Sequence, residues 1–178
     1  MFQLRELCRD DIPVINTWRN DPQLISQLGA PYRYINQDVD MRWYDQYMNN
    51  RNSCVRCAIV EADKPETILG LVSLTNIDQL NQSAVLHIMI GNTEAQGKGM
   101  GTFAITRMLY HAFMNLNLHR VELKVLTSNA RACHTYEKVG FVREGMLRSA
   151  VYKNGGFADM YLYSILKEEF LQKHGDRA

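Results

Sequence analysis

The sequence lacks the long apolar runs that mark membrane spans and secretion signals. None of its 178 residues belongs to an uninterrupted apolar stretch of membrane-spanning length, and residues 1–6 already carry charge. We therefore expect a soluble, cytoplasmic protein that has no membrane partner. No internal repeat or Pro/Gly-rich linker divides the chain, so we expect one domain, 1–178, with a single hydrophobic core.

An excess of charge of one sign is also missing. Twenty Lys and Arg residues oppose nineteen Asp and Glu residues, which leaves a formal net charge of +1, and no basic tract appears. Neutralisation of backbone phosphates dominates the affinity of proteins for nucleic acids. We therefore expect no nucleic-acid partner.

Cysteine is scarce, with only Cys8, Cys54, Cys57 and Cys133. Cys54 and Cys57 form a Cys-x-x-Cys motif, but they fall in the predicted strand 53–61, where their side chains would point to opposite faces. No second pair of ligands lies at a suitable spacing for zinc. We expect no metal site and assign the cysteines to packing as small apolar residues.

Hydrophobic periodicity predicts the element order β-α-α-β-β-β-α-β-α-β-β. Helices are expected near Asp10, after Asn36, from about Gly101, and over 129–138. The predicted strands are 2–7, 53–61, 67–76, 83–91, 121–126, 141–153 and 157–166. The links 62–66 and 77–82 are too short for helical crossovers, so these strands should be antiparallel, whereas the later β-α-β unit should be parallel. The expected fold class is a mixed α/β sheet.

A glycine-rich segment, Gln96-Gly97-Lys98-Gly99-Met100-Gly101-Thr102, stands between a predicted strand and the most regular predicted helix. Backbone amides at a helix N-terminus bind anions, and glycine removes the Cβ atoms that would keep a phosphate away from the backbone. The hydroxyl of Thr102 adds a further donor. This segment therefore predicts a phosphate-binding loop.

Two other phosphate-binding motifs compete for this segment. A nucleoside triphosphate loop needs Ser or Thr after its lysine, and Gly99 stands there instead. Residues 99–104 do fit a dinucleotide-binding pattern, with Glu122 about the right distance downstream to address a ribose. However, Glu122 lies near the start of its strand, and the preceding strands look antiparallel. Both features disfavour a nicotinamide-binding protein.

Two motifs resemble the GNAT acetyltransferase superfamily. Residues 96–101 are similar to its Gln/Arg-x-x-Gly-x-Gly/Ala pyrophosphate loop, and residues 128–141 resemble its Asn-x-x-Ala-x-x-x-Tyr-x-x-x-Gly-Phe element. The chain is most similar to the subgroup that contains RimJ, RimL and spermidine N-acetyltransferase, from about Ala84 onward. The resemblance implies a mostly antiparallel twisted sheet with one parallel β-α-β pair splayed around the cofactor and helices on both faces.

The resemblance also implies that acetyl-CoA is the acetyl donor and that no metal takes part. Backbone groups on the strand before the loop would hold the pantetheine arm, and the loop would hold the pyrophosphate. The cofactor-binding residues would then be Ile88, Met89, Ile90, Gln96, Gly97, Lys98, Gly99, Met100, Gly101, Thr102, Asn129, Arg131 and Tyr136. Asn129 is equally suited to be an ordinary helix N-cap.

Tyr136 matches the family tyrosine that protonates the departing thiolate, although its helical spacing alone would indicate a packed core residue. Many relatives carry a glutamate as general base where this chain has Val85. His87 follows two residues later on the same predicted strand face and is our candidate base, with a structural histidine as the alternative. Glu94 is a weaker candidate.

The expected reaction is direct attack of a primary amine on acetyl-CoA in a ternary complex. The acceptor would be a small molecule such as an amino sugar or polyamine; a protein N-terminus and a catalytically inactive coenzyme A-binding module are the alternatives. Related polyamine enzymes carry acidic residues before a proline where this chain has residues 28–30, which disfavours a strongly cationic acceptor. Residues 18–21 and the pair Trp43-Tyr44 resemble features of relatives that acetylate amino sugars on nucleotide carriers. The alternative is that these residues pack between helices. Relatives commonly form homodimers or larger rings.

Overall fold

The computed structural model describes residues 1–92 and 97–175, in which seven strands form one sheet with the order β1-β2-β3-β4-β5-β7-β6. The strands are β1 (Phe2–Glu6), β2 (Val55–Glu61), β3 (Lys64–Asp78), β4 (Ser83–Ile90), β5 (Arg120–Leu126), β6 (Val142–Lys153) and β7 (Gly156–Leu166). The helices are α1 (Ile12–Arg19), α2 (Pro22–Ser26), α3 (Gln37–Asn49), α4 (Met100–Tyr110), α5 (Ala130–Val139) and α6 (Lys167–His174). A π-helical segment, His111–Asn115, extends α4. The predicted mixed α/β class is confirmed.

Strands β1 to β4 form an antiparallel meander, as the short links predict. The link between β2 and β3 is tighter than expected, because β3 already begins at Lys64. Strand β5 returns parallel to β4 after the α4 crossover, and the β6–β7 hairpin then joins β5 through β7 in antiparallel pairing.

The prediction missed two helices. Helix α2 has only five residues, too few for a readable periodicity, and begins where the Asp21 carboxylate accepts from the amides of Gln23 and Leu24. Helix α6 follows β7 without a loop, so its apolar residues look like a continuation of the strand. Its Phe170 is fully buried and packs against Phe113, with ring centroids 5.4 Å apart.

The parallel pair β4–β5 is short. Its register covers only Ser83 with Arg120, Ala84 with Val121, and Val85 with Glu122. Beyond these positions β4 continues in register with β3, and β5 with β7. The two central strands therefore part after three residues and leave a wedge-shaped opening in the middle of the sheet.

Helices cover both faces of the sheet, as the resemblance implies. On one face, Ala84 and Leu86 of β4 join the main core beneath α4, α5 and α6. On the other face, Met89 packs into a second core formed with α1, α2 and α3. Alternate residues of β4 thus reach opposite sides of the opening.

Candidate active site

The glycine-rich loop turns into α4 through two residues with left-handed backbone conformations. Gly97 and Gly99 both have φ of 82°, and Gly99 is the N-cap of the helix. A Cβ atom at either position would meet no atom within 4 Å. The conformation, not a lack of space, therefore requires glycine at these positions.

The amides that begin α4 lie where the sequence predicts an anion site. The first intrahelical bond runs from the Phe103 N–H to the Gly99 carbonyl, over 2.9 Å. The N–H groups of Met100, Gly101 and Thr102 precede that bond and lie at the positive end of the helix dipole. Gln96 and the weaker base candidate Glu94 lie outside the described residues.

A cavity of about 260 Å³ opens in front of these amides, between the separated end of β4, the start of α4, one face of α5 and the chain at α2. It brings together most of the residues that the sequence assigns to the cofactor: Ile88, Ile90, Gly97, Gly99, Met100, Gly101, Thr102, Asn129, Arg131 and Tyr136. Lys98 is exposed and does not line it, and the Met89 side chain packs on the other face of the sheet.

Several lining residues were missed in the sequence. His134, Thr135 and Lys138 lie on the same side of α5 as Arg131. Their spacing of three, four and seven residues from Arg131 is a helical signal that identifies this face. Arg131 and Lys138 add positive charge beside the α4 amides, which suits a polyphosphate. Residues Gln27 and Leu28 also line the cavity, but nothing in the local sequence indicates it.

The loop after α2 is held over the cavity by side chains from distant parts of the chain. Asn129 is the N-cap of α5, where its carbonyl accepts from the Ala132 amide, and its Nδ2 donates to the Gln27 carbonyl over 3.0 Å. Lys153, at the end of β6, donates from Nζ to the carbonyls of Ile25, Leu28 and Ala30 at 2.6, 2.7 and 2.7 Å. These bonds shape one wall of the cavity.

Tyr136 is a buried residue that also lines the cavity. Its ring packs against those of Phe141 and Tyr163, with centroids 5.9 and 6.2 Å away. Burial, followed by the influence of Cys133, raises the pKa of Tyr136 to about 12. The phenol is therefore protonated at neutral pH. No residue within 1–92 and 97–175 forms a hydrogen bond with its hydroxyl.

His87 lies on the opposite face of β4 from Ile88 and on the same face as Val85, as predicted. It pairs with Ser73 of β3, and its Nε2 lies 3.0 Å from the Thr75 hydroxyl. Desolvation of the ring, followed by the positive charge of Arg56, lowers the pKa of His87 from its ordinary value of 6.5. The imidazole is therefore neutral at pH 7.

The sheet topology argues against a dinucleotide-binding site. The antiparallel β1–β4 meander is not the parallel sheet of a dinucleotide-binding fold. Glu122 stands at the start of β5, in an ion pair with Arg120 at 3.2 Å. All four cysteines are free. Among the described residues, no three His, Cys, Asp or Glu side chains converge on a possible metal site, and no helix is long and apolar enough to cross a membrane.

Comparison with known proteins identifies the family. Residues 2–142 match the model of the acetyltransferase (GNAT) domain. The spermidine N(1)-acetyltransferase of Vibrio cholerae is 33% identical over 96% of this chain and 95% of its own length, and that of Escherichia coli is 30% identical over 97% and 89%. The putative ribosomal N-acetyltransferase YdaF of Bacillus subtilis is 36% identical over 58% of this chain and 56% of its own.

The fold agrees with these sequence matches. A crystal structure of the Vibrio cholerae spermidine N-acetyltransferase, in complex with CoA and spermine, superposes with a TM-score of 0.88 over 96% of this chain and 98% of that one. Three features of this structure agree with the same family: the separation of β4 from β5, the glycine loop at the start of α4, and the α5 element. The chain therefore belongs to the GNAT family of N-acetyltransferases.

Proposed function

We propose that the protein transfers an acetyl group from acetyl-CoA to a primary amine of a small molecule, by direct attack in a ternary complex. The observation that carries this proposal is the cavity in which the open end of β4, the α4 amides and Tyr136 meet. The complex of the Vibrio cholerae relative with CoA and spermine supports both the donor and the amine acceptor.

The chain offers suitable groups to each part of the donor. The amides of Gly101 and Thr102 and the cations Arg131 and Lys138 suit the phosphates. The open end of β4, with Ile88 and Ile90 on the cavity wall, suits the extended pantetheine arm. A β4 amide at the thioester carbonyl would stabilise the negative charge that develops on its oxygen, a contribution of roughly 3 to 4 kcal/mol for a single donor.

Tyr136 is the proposed general acid. Its hydroxyl keeps its proton at neutral pH, because burial raises its pKa to about 12, and it belongs to the cavity wall. In this role it donates that proton to the sulfur of the departing thiolate as the carbon–sulfur bond breaks. General acid catalysis by one positioned side chain typically contributes 10²- to 10⁴-fold to the rate.

Replacing Tyr136 by Phe tests this role. We expect kcat to fall by about 10²-fold or more while acetyl-CoA binding, measured by calorimetry, changes little. Tyr163→Phe is the matched control, because that buried tyrosine packs on Tyr136 but bonds to Glu137 at 2.8 Å and does not line the cavity. Equal turnover in wild type and Tyr136→Phe would remove Tyr136 from the mechanism.

His87 is the proposed general base. An alkyl ammonium must lose a proton before it attacks, and the lowered pKa of His87 leaves its imidazole free to accept that proton at pH 7. The bond to Thr75 orients the ring on the side of the opening that faces α1 and α3. We expect kcat/KM to fall on the acid side, below the ordinary histidine pKa of 6.5, and His87→Gln to abolish that limb. An unchanged profile in His87→Gln would assign the limb to another group.

A catalytically inactive coenzyme A-binding module is distinguished by one assay. Thiol release in the presence of a panel of amines, each checked for its N-acetylated product by mass spectrometry, reports turnover directly. Acetylation of any small amine at a kcat of about 1 s⁻¹ or more supports the enzyme. Acetyl-CoA binding without product from any small amine or peptide N-terminus would favour the inactive module.

We also propose that the protein forms a homo-oligomer. A dodecameric structure exists for the Vibrio cholerae relative, which matches this chain with a TM-score of 0.82. The edge strand β6 is exposed along most of its twelve residues and presents Val142 and Met146, each more than half exposed. Light scattering coupled to size-exclusion chromatography measures the assembly, and a mass of 20.6 kDa would show a monomer.

A further inference from the structure

The sheet face under α1 and α3, opposite the cofactor cavity, carries a half-buried arginine. Arg56 of β2 lies beside Ser73 of β3, and Ser73 lies beside His87 of β4, so the three side chains form one row across neighbouring strands. Adjacent strands are about 4.8 Å apart, which places Arg56 roughly 10 Å from His87 across the sheet. The row ends at β4, the strand that separates from β5 and so opens the sheet.

Among the residues that the structure describes, no carboxylate pairs with Arg56. It is the one arginine in the described part of the chain that is neither exposed nor in an ion pair with a carboxylate. Its Nη1 donates to the Ser73 hydroxyl over 3.4 Å, and the Cys54 thiol is a further hydrogen-bond partner of the guanidinium. Its Nε is a buried donor that finds no acceptor among the described residues. Leaving a buried donor unpaired is destabilising, and more so when the group is charged.

Helix α3 fixes the guanidinium by stacking. The Arg56 guanidinium carbon lies 4.6 Å from the ring centroid of Trp43 and 5.9 Å from that of Tyr47. Arg19 lies 6.0 Å from the same Trp43 ring, but Asp40, which is fully buried, pairs with it. The cluster of Arg19, Asp40 and Arg56 therefore retains one uncompensated positive charge.

The neighbouring positions of β3 and β4 supply no carboxylate to Arg56. Beside Arg56 the facing residues of β3 and β4 are Ser73, Thr75, Val85 and His87, which are neutral at pH 7. The positive charge of Arg56 already contributes to the lowered pKa of His87. The same field disfavours a second positive charge on an acceptor and favours a negative one.

We infer that the acceptor amine belongs to a molecule that also carries an anionic group, a phosphate or a carboxylate, and that Arg56 binds this group. The inference rests on the proposed function and names its substrate class. It sets this chain apart from its spermidine-acetylating relatives, because a polyamine offers only positive charge to Arg56. Trp43 and Tyr47 act as positioning residues, since they hold the guanidinium in its plane.

Matched acceptors test the inference in the wild-type protein. Glucosamine 6-phosphate differs from glucosamine by a phosphate, 4-aminobutyrate differs from putrescine by a carboxylate, and spermidine is the cationic extreme. We expect kcat/KM for the anionic member to exceed that of its partner at least tenfold in one pair, and that pair identifies the anion. Preference for spermidine, or no discrimination within either pair, would overturn the inference.

Variants of Arg56 test whether this residue causes the preference for the anionic acceptor. We expect Arg56→Met to bring the ratio within the responding pair close to one, and Arg56→Lys to retain part of it, since lysine keeps the charge without the planar fork. Arg42→Met is the control, because Arg42 is exposed on α3 and, within the described part of the chain, donates only to the Asp38 carbonyl. Circular dichroism and thermal unfolding verify folding. A ratio that persists in a folded Arg56→Met protein contradicts the inference.

A binding measurement tests the Arg56 site independently of the proposed acetyl transfer. Calorimetry with saturating coenzyme A measures the dissociation constants of both members of each pair without requiring turnover. If the anionic member binds at least tenfold more tightly in wild type but not in Arg56→Met, Arg56 is an anion site even where no thiol is released. In that case only the proposed acetyl transfer fails. Equal binding within both pairs refutes the Arg56 site.

Discussion

Substitution of Gly91 by Ala tests how Trp18 packs against the end of β4. Gly91 follows β4, and its N–H donates to the Leu69 carbonyl over 3.1 Å. A Cβ atom there would lie 1.9 Å from Trp18 Cδ2 and 2.0 Å from Cε2. Ordinary contacts begin near 3.4 Å, so the indole would have to retreat by about 1.5 Å. Trp18 is buried in the second core, so that movement would disturb its packing against the residues of α1 and α2.

Overpacking of this kind costs about 1–3 kcal/mol. For a chain of this length each kcal/mol lowers Tm by about 2–4 °C, so we expect Gly91→Ala to lower Tm by roughly 2–12 °C, measured by far-UV circular dichroism. Gly145→Ala is the control, because a Cβ atom there meets nothing within 4 Å and its φ lies outside the left-handed region. It should leave Tm unchanged or raise it slightly.

A double-mutant cycle identifies the clash as the cause. Trp18→Leu removes the ring that Gly91→Ala would strike, so the double variant should be more stable than the sum of the two single effects by about 1–3 kcal/mol. Urea denaturation followed by circular dichroism measures each corner of the cycle. Strict additivity, or a Gly91→Ala protein as stable as wild type, would refute the packing of Trp18 on the end of β4.

Three further predictions concern the cofactor loop, acid stability and the cavity wall. Gly99→Ala places a side chain at φ of 82°, which costs about 1–2 kcal/mol. We therefore expect it to raise the Kd for acetyl-CoA, measured by calorimetry, several-fold. Gly101→Ala is the control, because a Cβ atom there would meet only Thr135 at 3.8 Å, and it should change the Kd much less. The bonds that Glu144 accepts from Arg120 and Ser164 lower its pKa to about 2, so the stability it contributes is present above the ordinary value of 4.5 and lost as pH falls toward 2. Glu144→Gln should therefore destabilise at pH 7 by on the order of 1 kcal/mol or less, because the pair is partly exposed, and the difference should shrink toward pH 2 in urea titrations; a constant difference would contradict the ion pair. Lys153→Met removes one bond to α2 and two to the loop after it, so hydrogen exchange at Leu28 should accelerate about tenfold or more. Unchanged protection would show that Lys153 does not hold the loop.

The features that were predicted well from the sequence depend on local backbone conformation and on the length of short links. Glycines at 97 and 99 indicate left-handed backbone whatever surrounds them, and the helix behind them follows from its apolar spacing. The links between β2, β3 and β4 allow only hairpins, so antiparallel pairing follows from chain length alone. The α5 element placed Tyr136 one turn beyond Ala132 on a single helix face, and both line the cavity.

Other features of the site depend on residues far apart in the chain. Lys153 contacts carbonyls more than 120 positions away, and no local pattern indicates that the loop after α2 closes the cavity. Arg56 meets Trp43 only because α3 folds over β2, so its missing counter-charge is invisible in the sequence.

By itself, then, the sequence determined the order of the strands and of the longer helices, the glycine-rich loop and the family, because these depend on backbone conformation, periodicity and link length within short segments. Only the tertiary structure decided where β4 and β5 part, since each strand has a second partner, β3 or β7, with which it continues in register. The cavity exists at that point because three paired residues hold the strands together and the remainder follow their outer neighbours.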